Sequence, residues 1–160
     1  MKKIQKVMAA IDFSRYSGDI LEYAGIMAKS MGCALIIVNV INNRDIDAMQ
    51  MAAKMVEKFS VEEWVETQKK ERREHLQGLI AETSFGDIPI EIYLRTGMPF
   101  KELMQVINEE GPDLLVMGPK GRSDIPDLRV GSTAEKAFCR CPIPLLFVPK
   151  QDDQAVLERD

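Results

Sequence analysis

The sequence predicts an α/β protein built on an open, mostly parallel sheet of five strands with helices on both faces. Three observations lead there. Five short runs of strand length recur along the chain, each with Gly, Pro, Asp or Asn at one or both ends. Between them lie segments whose apolar residues repeat at helical spacing. Four of the five runs are apolar nearly throughout instead of alternating, as strands covered on both faces by helices must be. Strand and helix in alternation require crossover connections, which are right-handed and leave few topologies, with flavodoxin-like and Rossmann-like arrangements in front.

The elements follow in order. IQKVMAAI at 4–11 reads as a buried strand ending at Asp12. The next segment sets Ile20, Ala24, Met27, Ala28 and Met31 at helical spacing, offers Ser14 or Ser17 as a cap, and stops at Gly32. CALIIVNVI at 33–41 is a second buried strand, rich in β-branched residues. Residues 44–83 scatter Met49, Met51, Met55, Phe59, Trp64, Leu76 and Leu79 through a charged background, and read as one or two helices with a break near Lys58–Ser60. The stretch KKERREH within it interleaves acids with bases and is expected as a solvated helical face; the methionines are expected as core filler. IPIEIYLRTG at 88–97 alternates as a strand, Pro99 opens a helix closed by Gly111, and DLLVMG at 113–118 is the fourth strand. STAEKAFCRC forms a short helix and PIPLLFVP at 142–149 the last strand. The division is one domain over 1–150 and a polar tail over 151–160.

Composition narrows the function classes. The formal charge of −4 and pI near 5.2 argue against non-specific nucleic-acid binding, which rewards Lys and Arg. No apolar run approaches the ~20 residues that cross a bilayer, and no secretory pattern opens the chain, so no membrane partner is expected. Cys33, Cys139 and Cys141 have no framework spacing and fit reduced thiols in a cytoplasm. With His75 as the single histidine, no zinc site built from His and Cys is expected.

In open α/β sheets ligands bind beyond the carboxyl ends of the strands, which puts Asp12, Val40–Asn42 and Gly118 onwards at one edge. The stretch Gly118–Ser132, GPKGRSDIPDLRVGS, lies there. Gly118 and Gly121 free backbone N–H groups to turn toward an anion, and Gly131-Ser132-Thr133 opens a helix whose N-terminus carries unpaired donors. Lys120, Arg122 and Arg129 add positive charge. A purely structural account competes with this one. Ser132–Glu135, S-T-A-E, is a capping box that explains Ser132 without a ligand, and Asp12 suits either ribose hydroxyls or a D-x-S turn.

The spacing Gly118-x2-Gly121-x9-Gly131-Ser132 resembles the G-2x-G-9x-G-(S/T) signature of the ATP-binding branch of the universal stress protein family. DLLVMG before it, GSTAEKAF after it, the closing CPIPLLFVP and the opening AAIDFS are similar too, so the resemblance spans residues 3–149. It implies an adenine nucleotide alpha hydrolase-like sheet in order 3-2-1-4-5, a homodimer through strand 143–149, and ATP with Mg²⁺ or Mn²⁺ bridging its phosphates. By position, Ala10 and Asp12 would approach the adenosine, and Val40 would contact adenine through its backbone. Gly118, Lys120, Gly121, Arg122, Gly131, Ser132 and Thr133 would surround the phosphates. The chain departs from the family at Pro119-Lys120 and at Asp124, Pro126 and Asp127. Pro119 removes one N–H donor, and the carboxylates repel a triphosphate unless a divalent cation bridges them or they point away.

The expected function is a nucleotide-binding regulatory or sensor module in stress response, with dimer contacts or the 44–83 helices reporting occupancy to a protein partner of unknown kind. Two alternatives stand beside it: a slow ATPase or phosphoryl- or nucleotidyl-transfer enzyme, and a nucleotide-free dimeric scaffold. No H-x-G-H or S-G-G-x-D-S motif is present, and His75 is far from the loop in sequence, so turnover is not expected.

Overall fold

In the computed structural model the described residues are 3–85, 87–122 and 130–150. Strand β1 (Lys6–Ala10) leads through α1 (Ser17–Met31) to β2 (Ala34–Asn42). Two helices, α2 (Asn43–Ala53) and α3 (Val61–Ala81), precede β3 (Ile90–Gly97). Then come α4 (Pro99–Glu110), β4 (Leu114–Met117), α5 (Ser132–Arg140) and β5 (Leu145–Phe147). The five strands form one parallel sheet in the order β3-β2-β1-β4-β5. Val7 of the central β1 sits between Leu35 of β2 and Leu114 of β4. The chain winds outward from β1 to β3 on one side and from β4 to β5 on the other, so the order reverses between β1 and β4.

Alternation along the strands sorts the core into two layers. Val7, Ala9, Ile11, Leu35 and Ile37 pack with Tyr16, Ile20 and Ala24 of the α1 side and with Leu76 of α3 and Phe85. On the other face Met8, Ile36, Val38, Leu115 and Met117 meet Leu103, Val106 and Ile107 of α4 and Ala134 and Ala137 of α5. Each large aliphatic side chain taken fully from water stabilises the fold by roughly 1.5–3 kcal/mol, so the strand runs are apolar because both faces are covered.

Several local expectations change. Tyr16, not Ser14 or Ser17, holds the N-cap position of α1, and no side chain caps that end. Ser17 is buried, and its hydroxyl lies 3.5 Å from Asp12 Oδ1. The 44–83 segment breaks between Ala53 and Val61, with Lys58 at φ 67 and Ser60 capping α3 through the Glu63 N–H at 3.2 Å. Its methionines are not all core filler. Met51 is 69% exposed, because α2 lies against α3 and the end of β2 instead of over the sheet and buries none of its residues, and Met55, in the turn after α2, is 90% exposed. The KKERREH face is largely exposed, but Arg72 turns inward to Asn39. β5 is three residues long; Pro142, Pro144 and Pro149 have no N–H, although Pro144 still accepts from Leu115 and Val148 donates to Met117. The tail 151–160 lies outside the described residues.

Candidate functional site

Two loops meet where the strand order reverses. The first, after β1, is anchored by Ile11, whose N–H donates to Val38 O at 2.9 Å and whose carbonyl accepts from Asn39 Nδ2 at 2.7 Å. Asn39 is 1% exposed and satisfied on both sides, since its Oδ1 accepts from the Arg72 guanidinium at 2.9 Å. Asp12 then accepts from the Ser14 N–H through Oδ1 at 3.0 Å. Phe13 between them has φ 60, a left-handed conformation that costs an L-residue about 1–2 kcal/mol. Its ring stacks on His75 of α3, centroids 4.8 Å apart, and Arg72 lies 5.9 Å from its centre. His75, remote in sequence, is thus brought against the β1–α1 turn but is not on the wall of the cavity described below.

The second loop leaves β4 at Gly118 and returns at Gly131, whose N–H donates to Pro119 O at 2.7 Å. The two ends of the excursion therefore close on one another, and the carbonyl of the proline helps to close them. A Cβ on Gly131 would lie 3.3 Å from Lys120 Cα, and one on Gly121 only 2.9 Å from Asp12 Oδ2. The excursion itself, with Asp124, Pro126, Asp127 and Arg129, lies outside the described residues.

The capping box does not form. Gly131, extended at φ −77 and ψ 158, is the N-cap of α5, and its carbonyl accepts the first helical bond from the Glu135 N–H at 2.9 Å. Ser132 is consequently the first helical residue, one place too late to cap, and no side-chain cap bond is present. Ser132 and Thr133 instead line the cavity beside the first turn, where N–H groups have no helical acceptor and the helix dipole favours negative charge.

That cavity has a volume of about 440 Å³, within the roughly 300–1,000 Å³ of small-molecule sites. All ten residues singled out from the sequence stand on its wall: Ala10, Asp12, Val40, Gly118, Lys120, Gly121, Arg122, Gly131, Ser132 and Thr133. The sequence reading missed its apolar side, formed by Val38, Pro99, Leu103 and Met117, and two residues of α2, Arg44 and Asp45. Val38 was within reach, being two places from Val40 and so on the same face of β2. Nothing in the sequence indicated that α2 would border the site.

Arg44, Lys120 and Arg122 line the cavity, and Arg122 Nη2 donates to Asp45 Oδ2 at 2.7 Å. Arg72 is close enough to feel both partners: burial lowers its guanidinium pKa first, the positive charge of Arg122 lowers it further, and Asp45 acts the other way. One wall is apolar and suits a flat ring; the other offers N–H groups, hydroxyls and cations to an anion. Among the described residues no group of three or more His, Cys, Asp or Glu side chains could hold a metal ion by itself.

A model of the Universal stress protein family matches residues 3–149. The chain belongs to the universal stress protein family. It is 21% identical over 159 residues to the universal stress protein MJ0577 of Methanocaldococcus jannaschii, covering 92% of this chain and 96% of that one. It is 25% identical over 144 residues to the universal stress protein YxiE of Bacillus subtilis, covering 89% and 97%. The solved structure of MJ0577 superposes with a TM-score of 0.78 over 94% of this chain and 99% of that one, at 18% identity. A universal stress protein crystallised in complex with cAMP superposes with a TM-score of 0.60 over 92% and 98%, at 22% identity. The sheet order 3-2-1-4-5 is that of this family's α/β fold. Among the described residues no helix is long and apolar enough to cross a membrane.

Proposed function

We propose that this universal stress protein binds an adenine nucleotide, ATP first among them, and acts as a cytoplasmic regulatory or sensor module in stress response. The observation that carries the reading is the convergence of Asp12, the closed glycine neck and the α5 N-terminus on one cavity with an apolar wall. Adenine would lie against Val38 and Val40. Asp12, with Oδ1 engaged by the Ser14 N–H, would offer Oδ2 to the ribose hydroxyls. The phosphates would take the backbone N–H groups around Gly121 and in the first turn of α5, the hydroxyls of Ser132 and Thr133, and the charges of Lys120 and Arg122. The relative crystallised with cAMP supports an adenine ring as the recognised part.

Mg²⁺ or Mn²⁺ fits this site as a guest of the phosphates. Mg²⁺ usually keeps several waters and binds through substrate phosphates and one or two carboxylates, so phosphate oxygens and waters would hold it, with Asp12 Oδ2 serving either the ion or the ribose and not both. Bound there, the ion would neutralise phosphate charge. The chain's own residues would hold and orient the nucleotide, and no histidine on the wall supplies a base for turnover.

The functional form is proposed to be a homodimer through strand 143–149. The three residues of β5 are at the edge of the sheet and only half-buried, an edge that pairing across a two-fold axis would cover. The helices of the 44–83 segment would then present occupancy to a protein partner.

The test is mass spectrometry of small molecules released by denaturing freshly purified protein, followed by calorimetric titration of the emptied chain with ATP, ADP, AMP and cAMP. Co-purified adenine nucleotide and saturable ATP binding are expected. Failure of all four nucleotides to bind would overturn the reading, and multiple-turnover ATP hydrolysis abolished by Asp12→Ala would replace it with an enzyme.

A further inference from the structure

The cavity has an outer neighbour that does not belong to the phosphate-facing loop. The first turn of α2 contributes Arg44 and Asp45 to its wall. Asp45 reaches 77 residues along the chain to accept a hydrogen bond from Arg122 at 2.7 Å, a salt bridge between the first turn of α2 and the loop after β4. Helix α2 buries no residue, so a polar tie weighs more in holding it than it would for a helix seated in the core. Beside its packing on α3 and the end of β2, α2 is also held by the cap at its own start, where Asn42 Oδ1 accepts from the Arg44 N–H at 3.1 Å.

Arg122 therefore has two suitors. In the free protein its guanidinium is held by a carboxylate; on the reading proposed above, the outer phosphates of a nucleotide would approach the same group. Both are anions. A phosphate taking Arg122 leaves Asp45 without its hydrogen-bonded cation, with Arg72 still near, and sets two like charges a few ångströms apart, which repel. The arrangement relaxes if Asp45, with the first turn of α2, moves away. A monophosphate, ending nearer the glycine neck, would not need Arg122 and would leave the pair intact.

We propose that Asp45 competes with the outer phosphates for Arg122, so that Asp45 sets discrimination by phosphate number and ATP binding loosens α2. This rests on nucleotide binding in the cavity and goes beyond it by naming the residue that weighs the phosphate chain and the element that responds. It assigns the 44–83 segment a signal to carry: the turn beside the phosphates and the exposed Met51 belong to one short helix, and the exposed Met55 follows directly after it.

The pair is half-exposed, so its effects are modest: an exposed ion pair contributes about a two- to fivefold change in an equilibrium. Hydrogen exchange of the full chain, read on peptides covering 43–53, gives the first arm, with Mg²⁺ and either ATP or AMP at saturation. ATP is expected to speed exchange there about two- to fivefold and AMP to leave it unchanged. Asp45→Asn is expected to exchange at the faster rate without nucleotide and to show no further change with ATP. In titrations Asp45→Asn tightens ATP about two- to fivefold and AMP less than twofold, and in an Arg122→Ala background the gain for ATP shrinks. ATP binding with 43–53 equally or better protected overturns this inference alone, as does an Asp45→Asn gain that is the same for AMP. A parent chain that binds neither nucleotide overturns the functional reading and this inference together.

Discussion

Asp12 and Gly121, on loops 109 positions apart in the sequence, meet so closely that a Cβ on Gly121 would stand 2.9 Å from Asp12 Oδ2. The glycine is thus a spacing requirement of the carboxylate opposite it. Asp12 Oδ1 is fixed by the Ser14 N–H, so only Oδ2 can turn to a ligand, and a side chain on Gly121 would push that oxygen out of place.

Gly121→Val should therefore separate binding from folding. The atom in the way is the end of a side chain, which can yield, so the cost in stability is expected to stay below about 1 kcal/mol. ATP affinity is expected to fall by at least tenfold, on the order of 1.4 kcal/mol. Paired urea unfolding and calorimetric titration check this. A variant that unfolds much more easily yet binds as the parent does would show that the glycine serves the fold alone.

The contrast between Gly121 and Ser132 shows what the sequence could and could not disclose. Runs such as 33–41 and 113–118 declared themselves as strands because burial on both faces leaves little room for polar residues; Asn39 is tolerated there because both ends of its amide are bonded. The glycine spacing was legible because close backbone approach restricts side chains sharply. Ser132 was ambiguous because S-T-A-E reads as a capping box whether the helix starts at Ser132 or one residue later. Only the extended backbone of Gly131 decides that. Asp45 and Arg44 were illegible for another reason: the path of α2 depends on packing against α3 and the end of β2, which local pattern does not encode.

Ser132→Ala follows from that correction. A capping serine replaced by alanine costs about 0.5–2 kcal/mol, whereas a serine at the first helical position that caps nothing should cost less than about 0.5 kcal/mol. The expected result is an unchanged thermal midpoint with ATP binding weakened about tenfold or more by loss of one hydrogen bond to an anion. A clear drop in midpoint with intact binding would restore the capping account.

Cys33 offers a prediction in pH. It is 7% exposed, and burial pushes its thiol pKa up, with the negative charge of Asp113 adding to the effect. A raised pKa in the folded state means that the fold favours the protonated thiol. Its contribution is fully present below the unfolded thiol value near 8.5 and is lost as pH rises from there through the folded value. Stability measured by urea unfolding is expected to decline in that alkaline window more steeply than in Cys33→Ala. In a thiol-reagent assay at pH 8, exposed Cys139 should react at once and Cys33 only on unfolding. Prompt labelling of Cys33 in the native protein would contradict this account.

The chain Arg72–Asn39–Ile11 ties helix α3 to the strand end that presents Asp12, and it should behave as a unit. Asn39→Ala removes the donor to Ile11 O and the acceptor of Arg72 in a buried setting, leaving a carbonyl and a half-buried guanidinium short of partners. The expected cost is about 2–4 kcal/mol, combining one neutral and one charge-assisted bond. Arg72→Ala should cost less, because it leaves Asn39 bonded to Ile11 but removes the cation beside Phe13. The double variant should fall short of the sum of the two by more than about 0.5 kcal/mol, the mark of a shared network. Nucleotide affinity should drop in both single variants, since the left-handed Phe13 next to Asp12 loses part of what holds it there. Strict additivity in urea unfolding, with ATP affinity untouched, would mean that α3 does not position the Asp12 turn.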